Sequence, residues 1–580
     1  MSENRRQDSL RSRLTYEPVE LRFGTSGRRG EVVHLTQLEI YINALAELEY
    51  LQSLPPAEGG IVRGEPFYFA YDLRPSSSRY VESQGGRGEI AQAIERAVRD
   101  AGMRSVNLGR IPTPALACYA ISQSKGSIMV TGSHIPFDRN GYKVNTSRGE
   151  LLKKDENAIH ERVARIRELL YSRPYNESLF NAQGLFKAGH QELPPETAAA
   201  RDAYIGRYTG FLEGRSLAGK RILCYQHSAV GRDILVAILD QLGAETIPAG
   251  RSDTFVPIDT ENIDDAQVAS IQAMTDRAAE EHGRLFAVVS TDGDSDRPLL
   301  LGVDPETGRV RFFGGDLLGM IAAAFLRAGA VVVPISCNDA IERGDLREIL
   351  EARTRIGSPY VIEGMEKARS KGKRAICGWE ANGGFLTGSD IELDRKVLPA
   401  LPTRDAVLPI LCALLAAHEK EMTLAGLFEQ LPKRFGRALL LKKFPRSRGL
   451  QLVTFFSPAD GRIKEARFEG DRAFLSDENG NELPAPAGQF LEMKGIRTRL
   501  EQEFSAEMGF PGIARLNYID GVRITFTNGE VAHLRPSGNA DELRIYAVAD
   551  TQGRADEIAR EGIAEPGGIL RRLEKAALPK

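Results

Sequence analysis

The chain has 580 residues, 42% of them hydrophobic and 27% charged, and its 76 basic against 79 acidic side chains leave a net charge of −3. Such a balance supplies no overall basic field for nucleic acid or an anionic membrane, so an anionic ligand must be gathered by a local cluster. A soluble chain of this length is expected to divide into several domains of roughly 100 to 200 residues each.

Residues 1–14 mix arginines with Glu3 and Asp8 and lack the apolar centre of a signal peptide, so a disordered terminus of a cytoplasmic protein is expected. The five cysteines, Cys118, Cys224, Cys337, Cys377 and Cys412, are too scattered for a metal-binding pair and read as reduced core thiols. No apolar run approaches the ~20 residues of a membrane span. The longest candidate, 407–417, has the length of a core helix.

In chain order, the β-rich run 67–71 precedes an amphipathic helix predicted over 89–101, on which Ile90, Ala93, Ile94, Ala97 and Val98 share one face. The apolar strand 127–130 then leads into Thr131-Gly132-Ser133-His134-Ile135-Pro136, and 155–170 reads as a further helix. A serine held between a glycine and a nearby proline directly after a strand is expected to stand exposed on a loop, where a nucleophile belongs. An ordinary turn is the alternative, since no G-x-S-x-G elbow surrounds Ser133.

The grammar repeats with strand 221–225, helix 232–242 and strand 285–290, whose end carries Thr291-Asp292-Gly293-Asp294-Ser295-Asp296-Arg297. Three carboxylates at alternating positions can converge on one cation, and an all-oxygen set favours Mg²⁺. An EF-hand is excluded because Arg297 takes the place of the glycine and Val303 that of the bidentate glutamate. A solvated acidic turn remains the other reading. Arg297 beside the carboxylates suits a phosphate oxygen. Just upstream, Gly214 to Lys220 imitates a P-loop, but Arg221 replaces the magnesium-binding hydroxyl and the segment precedes its strand, so nucleotide hydrolysis is not expected.

A third unit follows, with a helix over 316–328, a strand over 331–335 and the glycine-rich Cys377-Gly378-Trp379-Glu380-Ala381-Asn382-Gly383-Gly384, where Glu380 and Asn382 can bond sugar hydroxyls. Beyond 435 the pattern becomes antiparallel: 438–444, 450–457, 525–527 and 543–548 read as strands, with Asp520-Gly521 and Asn528-Gly529 as hairpin turns. Between them, Arg535-Pro536-Ser537-Gly538-Asn539 suits a phosphate cradle of Arg535, Ser537, Asn539 and backbone N–H groups around Gly538. The expected fold class is α/β with four domains around a central cleft. Three α/β domains with mixed, largely parallel sheets (15–195, 196–305, 306–432) precede a C-terminal α+β domain (433–580).

With these four loops in this order, the chain resembles the α-D-phosphohexomutase family over essentially its whole length, from Phe23-Gly24-Thr25-Ser26-Gly27-Arg28-Arg29-Gly30 to Tyr546. The segments Asp72-Leu73-Arg74-Pro75-Ser76 and Pro112-Thr113-Pro114 resemble the family as well. The resemblance implies that Ser133 is the phosphorylated serine, followed by the active-site His134 and Lys143, and that the magnesium set is Ser133 with Asp292, Asp294 and Asp296. It also implies that Arg297 is catalytic, that Arg28 and Arg29 face the cleft, that Glu380 and Asn382 bind the sugar, and that Arg535, Ser537, Gly538 and Asn539 bind its phosphate.

Where the family commonly has alanine and asparagine around the serine, this chain has Gly132 and Ile135; Asn382 replaces a serine, and Asn539 begins a departure in the phosphate loop. The activity implied is interconversion of hexose 6-phosphate and hexose 1-phosphate, with mannose ahead of glucose, Mg²⁺ as cofactor and a hexose 1,6-bisphosphate as intermediate. A non-catalytic sugar-phosphate-binding protein and a phosphatase built on the aspartates are the alternatives of another class. No nucleic-acid, membrane or obligate protein partner is expected.

Overall fold

The computed structural model describes residues 8–261, 263–470, 472–538 and 541–577. Among these residues the strands assemble into four large sheets, taken up one after another along the chain. In the first, the order is Arg28–Glu31, Arg139–Thr146, Ser127–Val130, Pro66–Tyr71 and Arg104–Asn107. Ser127–Val130 is buried at every position and runs parallel to Pro66–Tyr71, so the Ser133 loop leaves the carboxyl end of a central strand. Open α/β sheets present ligands at that end.

The second sheet runs Glu245–Arg251, Arg221–His227, Ala287–Thr291, Pro298–Val303 and Val310–Phe312, with the first three strands parallel and the last two antiparallel. The acidic segment is the hairpin connection between Ala287–Thr291 and Pro298–Val303. Because Val310–Phe312 pairs with Pro298–Val303, this unit continues past the expected boundary at 305. The third sheet orders Ala330–Val332, Ile376–Trp379, Phe385–Thr387 and Leu401–Asp405, and the Glu380 loop joins its two middle strands. The three sheets are mixed, and parallel pairing is confined to strands joined through helices, where a crossover is geometrically required.

The fourth sheet is antiparallel and eight-stranded, from Phe435–Lys442 at one edge to Glu482–Leu483 at the other. Both hairpin turns read from the sequence lie within it, at 518–521 and 527–530. The run 450–457 is not a strand: Arg446–Phe455 is a helix that buries Gly449 and Leu452, with Phe456 just beyond. Spacings of three and four are the helical period, and Gly449 lets the helix press on the phosphate strand, since a Cβ there would stand 2.7 Å from Pro536.

One apolar core runs continuously through the first three units, from Tyr68 and Leu116 through Ile234 and Val289 to Leu318 and Leu411, whereas the fourth unit has a core of its own around Leu452, Ile496 and Ile545. Buried Arg434 spans the joint, donating to Asp339 at 2.7 and 2.9 Å and to Asp550 at 2.6 Å. The expectation of a disordered 1–14 is corrected for residues 8–14. Leu10 is buried in the first unit and its N–H reaches the carbonyl of Arg173 at 2.8 Å, because a leucine that fills a core site holds its segment in place.

Candidate active site

Asp72 and Arg74, at the end of strand Pro66–Tyr71, build the nucleophile loop from beneath. Asp72 accepts from the Thr131 hydroxyl at 2.9 Å and the Gly132 N–H at 3.3 Å. Buried Arg74 donates to the carbonyl oxygens of Ser133 (2.8 Å), Pro136 (2.7 Å), Arg139 (2.9 Å) and Ile135, and its guanidinium lies 3.8 Å above the ring of Phe255. Four carbonyls on one planar cation leave the loop little freedom. Ser133 itself takes a left-handed φ of 52° and donates its N–H to Thr131 Oγ1 at 2.8 Å, strain of the kind a tightly held site sustains.

The serine hydroxyl donates to Asp292 Oδ2 at 2.6 Å, and His134 Nδ1 lies 3.5 Å from Ser133 Oγ. Contrary to the exposed loop expected, Ser133 is fully buried. The cause is the acidic loop of the second unit packing over it: a Cβ on Gly293 would stand 2.9 Å from the Ser133 carbonyl oxygen.

Asp292, Asp294 and Asp296 are all buried, and each offers a ligand oxygen within 4.8 Å of the others. Lys143 Nζ donates to Asp294 at 2.8 Å and Asp296 at 2.6 Å, Thr113 donates to Asp294 at 2.7 Å, and the backbone N–H groups of Asp296 and Arg297 reach Asp292 Oδ1 at 3.1 Å. Burial, then repulsion from Asp294 and Asp296, pushes the Asp292 carboxyl well above the usual carboxylate range. Burial acts the same way on Asp296, but Arg404, Lys143 and Arg297 outweigh it and hold that carboxyl low. Asp294 Oδ1 and Asp296 Oδ1 are buried with no hydrogen-bond partner. Three converging carboxylates with two orphaned oxygens and no soft ligand fit a small divalent cation such as Mg²⁺.

Arg404, absent from the sequence reading, ties this cluster to the sugar loop. It donates to Asp296 from Nε at 3.0 Å and Nη2 at 2.8 Å, and to Glu380 from Nη1 at 2.9 Å. Its neighbour Asp405 accepts hydrogen bonds from Tyr204 (2.8 Å) and Tyr208, both on the helix Ala199–Phe211. Gly384 makes room for the guanidinium arm, since a Cβ there would stand 2.4 Å from Arg404. Asn382 accepts from the Gly384 N–H through its side-chain oxygen at 3.0 Å, which leaves its amide NH₂ as the group to offer a ligand. Trp379 is core: it stacks on Phe385, and a Cβ on Gly319 would meet its ring at 2.4 Å.

His134, Arg297, Glu380, Asn382, Arg535 and Ser537 all line one cleft with about 660 Å³ of empty space, open solvent included, a size that admits a sugar phosphate. Arg29 and Gly538 line it too, whereas Asn539 lies outside the described residues. Glu261 and Arg544, which no local motif marks as site residues, line its wall as well. Burial and the charges of Arg297, Arg29 and Arg544 hold His134 well below the ordinary histidine range, hence neutral at neutral pH.

Arg28 is the correction: its Nε donates to buried Glu47 at 2.6 Å and its Nη1 to the Leu21 carbonyl at 2.5 Å, inside the first unit. Consecutive residues of a strand face opposite sides, so Arg28 and Arg29 cannot both enter the cleft. That alternation was the available signal.

A family model described as phosphoglucomutase/phosphomannomutase, alpha/beta/alpha domain I, matches residues 20–170; its domain III counterpart matches 314–435 and its C-terminal domain 491–564. A phosphomannomutase of Sinorhizobium fredii (strain NBRC 101917 / NGR234) is 36% identical over 543 residues, 94% of this chain and 98% of the relative. One of Salmonella muenchen is 36% identical over 554 residues, covering 94% and 96%. Among solved structures, a phosphoglucomutase/phosphomannomutase family protein of Burkholderia thailandensis superposes with a TM-score of 0.58 at 17% identity, covering 96% of this chain and 97% of the other. A variant of Aspergillus fumigatus N-acetylphosphoglucosamine mutase in complex with glucose 1,6-bisphosphate gives 0.50 at 14% identity, covering 99% of each. At these identities the structural likeness concerns the fold.

Proposed function

The chain belongs to the phosphoglucomutase/phosphomannomutase family of α-D-phosphohexomutases, and from that premise we propose that it interconverts mannose 6-phosphate and mannose 1-phosphate through phospho-Ser133 and a bisphosphorylated hexose. The observation that carries this reading is the 2.6 Å contact of Ser133 Oγ with Asp292 inside a three-carboxylate cluster, whose chain neighbours His134 and Arg297 line the same cleft as Arg535 and Arg544. The two relatives of highest printed identity are phosphomannomutases, which is the support for mannose over glucose.

In the proposed cycle a sugar hydroxyl attacks the phosphorus of phospho-Ser133. A sugar O–P bond forms, the P–Oγ bond breaks, and the hydroxyl proton must go to a base. Neutral His134 has the lone pair for this, whereas Lys143 is engaged as a donor to two carboxylates. With Nδ1 at 3.5 Å from Oγ, His134 is also placed to hand that proton to the departing serine oxygen. After the bisphosphate turns around, the same steps in reverse return its other phosphoryl group to Ser133. Mg²⁺ held by Asp292, Asp294, Asp296 and the phosphoserine supplies charge neutralisation for the transferring group. Esterified Ser133 has no hydroxyl hydrogen to give Asp292, so phosphorylation and the contact seen here exclude one another. Meanwhile Glu380 and Asn382 hold sugar hydroxyls, and Arg535 and Ser537 hold the phosphate that is not being transferred.

A cytoplasmic location belongs to the same reading, supported by five free cysteines. Among the described residues no helix is long and apolar enough to cross a membrane. The test is a coupled assay of the purified chain with mannose 1-phosphate and glucose 1-phosphate, alongside intact-mass analysis for one phosphoryl group that Ser133→Ala removes. Faster turnover of the mannose ester is expected. Preference for the glucose ester overturns the sugar assignment, and no turnover of either with no phosphoserine overturns the mechanism.

A further inference from the structure

The hairpin turn Asp520-Gly521 reaches beyond its own sheet. Asp520 Oδ1 accepts from Arg535 Nε at 3.0 Å, within the fourth unit, while Oδ2 accepts the backbone N–H of Ile356, in the third, at 3.0 Å. Arg535 and Ile356 both line the cleft. The turn is held in place for this task. Gly521 takes a φ of 82°, and a Cβ on it would stand 2.2 Å from the Leu534 carbonyl oxygen, so only glycine lets the turn press against strand Val531–Pro536. From below, His533 Nε2 donates to the Asp520 carbonyl at 2.6 Å. Because a carbonyl only accepts, the imidazole carries its hydrogen on Nε2; burial keeps the ring neutral, its pKa lowered to about 4.

The contact with Ile356 marks a three-way junction. A Cβ on the next residue, Gly357, would stand 2.5 Å from Thr25 Cγ2, and one on Gly538 of the phosphate loop 2.9 Å from Thr25 Oγ1. Loops of the first, third and fourth units therefore meet at Thr25, with Asp520 joining the last two.

We propose that Asp520 is a positioning residue that aims Arg535 at the substrate's non-transferring phosphate when the fourth unit is seated on the third. The role rests on the phosphohexomutase reading above. An arginine gripped at Nε keeps two terminal NH₂ groups for bidentate contact with phosphate, and fixing the fork beforehand removes the ordering cost at binding. Seating supplies the second partner: only then does the Ile356 N–H engage Oδ2, so orientation of Arg535 is coupled to closure of the cleft. Two N–H donors require two acceptor oxygens. Asparagine has one, and its NH₂ would face a donor on the other side.

The test uses the full chain with Asp520→Asn and, as a second variant, Asp520→Ser. In both, KM for the hexose phosphate is expected to rise roughly tenfold or more with kcat within about twofold, since the lost bonds are charge-assisted ones to the bound phosphate's partner. The phosphoryl group on Ser133 is expected to persist by intact mass. In an Arg535→Met background, Asp520→Asn is expected to change KM no more than about twofold, because a residue acting through Arg535 has nothing left to aim. Unchanged KM with the phosphoserine intact, or full additivity with Arg535→Met, overturns the role of Asp520. If the wild type turns over no hexose phosphate, the functional reading fails by itself. Calorimetry with inorganic phosphate then decides the question: weaker binding to Asp520→Asn supports the role and equal binding overturns it.

Discussion

The guanidinium of Arg74 occupies the space that a side chain on Gly132 would need, a Cβ there standing 2.6 Å from both Cζ and Nε. A terminal guanidinium can usually swing aside, but this one donates to four carbonyls of the nucleophile loop and is stacked on Phe255. The glycine that departs from the family's usual alanine is thus matched to its neighbour.

Gly132→Ala is accordingly expected to destabilise the chain by about 1–3 kcal/mol, as overpacking does. Phosphorylation of Ser133 by hexose bisphosphate should slow by at least about tenfold, since the loop that aims the hydroxyl must shift. Thermal denaturation and time-resolved intact mass check the two halves. A variant with wild-type melting and wild-type phosphorylation would show that Arg74 is not fixed.

Arg404→Gln leaves Glu380 and Asp296 without their shared cation inside the protein. Breaking buried pairs in this way is expected to cost about 3 kcal/mol or more. It should lower kcat/KM by roughly 100-fold, because both the sugar carboxylate and a metal carboxylate lose their orientation. Arg404→Lys is expected to rescue stability in part and activity poorly, as an ammonium cannot span Nε, Nη1 and Nη2. Denaturant titration with steady-state kinetics of both variants tests this; equal activity of the lysine variant and wild type would contradict it.

Asp294→Asn removes one carboxylate from the cluster and with it part of the attraction for a divalent cation. Calorimetric Mg²⁺ binding, or Mn²⁺ binding followed by electron paramagnetic resonance, is expected to weaken at least about tenfold. Equal affinity in variant and wild type would remove the acidic loop as the metal site.

Glu261 yields a prediction with a definite sign. Burial is the main cause that pushes its carboxyl from 4.5 up to about 7, with Arg544 opposing. Between those values the folded chain keeps a proton that the unfolded chain has released, so this group's contribution to stability is present at low pH and lost as pH rises through the window. Glu261→Gln cannot ionise. Its melting temperature relative to wild type is therefore expected to climb from pH 5 to pH 7.5, and a difference that is flat across that range would exclude the shift.

Much of the site was legible because its pieces are contiguous in the chain. The Ser133 loop, the alternating aspartates, the Glu380 loop and the Arg535 segment each follow or precede a strand whose apolar run and turn residues are local properties. Lys143 was legible only through the family resemblance, and its contacts with Asp294 and Asp296 join residues 151 and 153 positions apart, beyond any local pattern. The alternation that turns Arg28 onto Glu47 was readable in principle, yet which of two adjacent arginines faces inward depends on where the core lies.

What local pattern determines by itself is which chemistry the chain carries: a serine, three carboxylates and clustered phosphate donors, each at the end of a strand. Tertiary structure alone decided that Ser133 is covered by Gly293 and Asp292, that Arg404 joins Asp296 to Glu380, and that Asp520 joins Arg535 to Ile356. Each includes a contact between different units: Ser133 to Asp292, Arg404 to Asp296 and Ile356 to Asp520 join residues 159, 108 and 164 positions apart. Contacts of this kind form only when separate units meet, and no period or spacing along one segment encodes its partner on another.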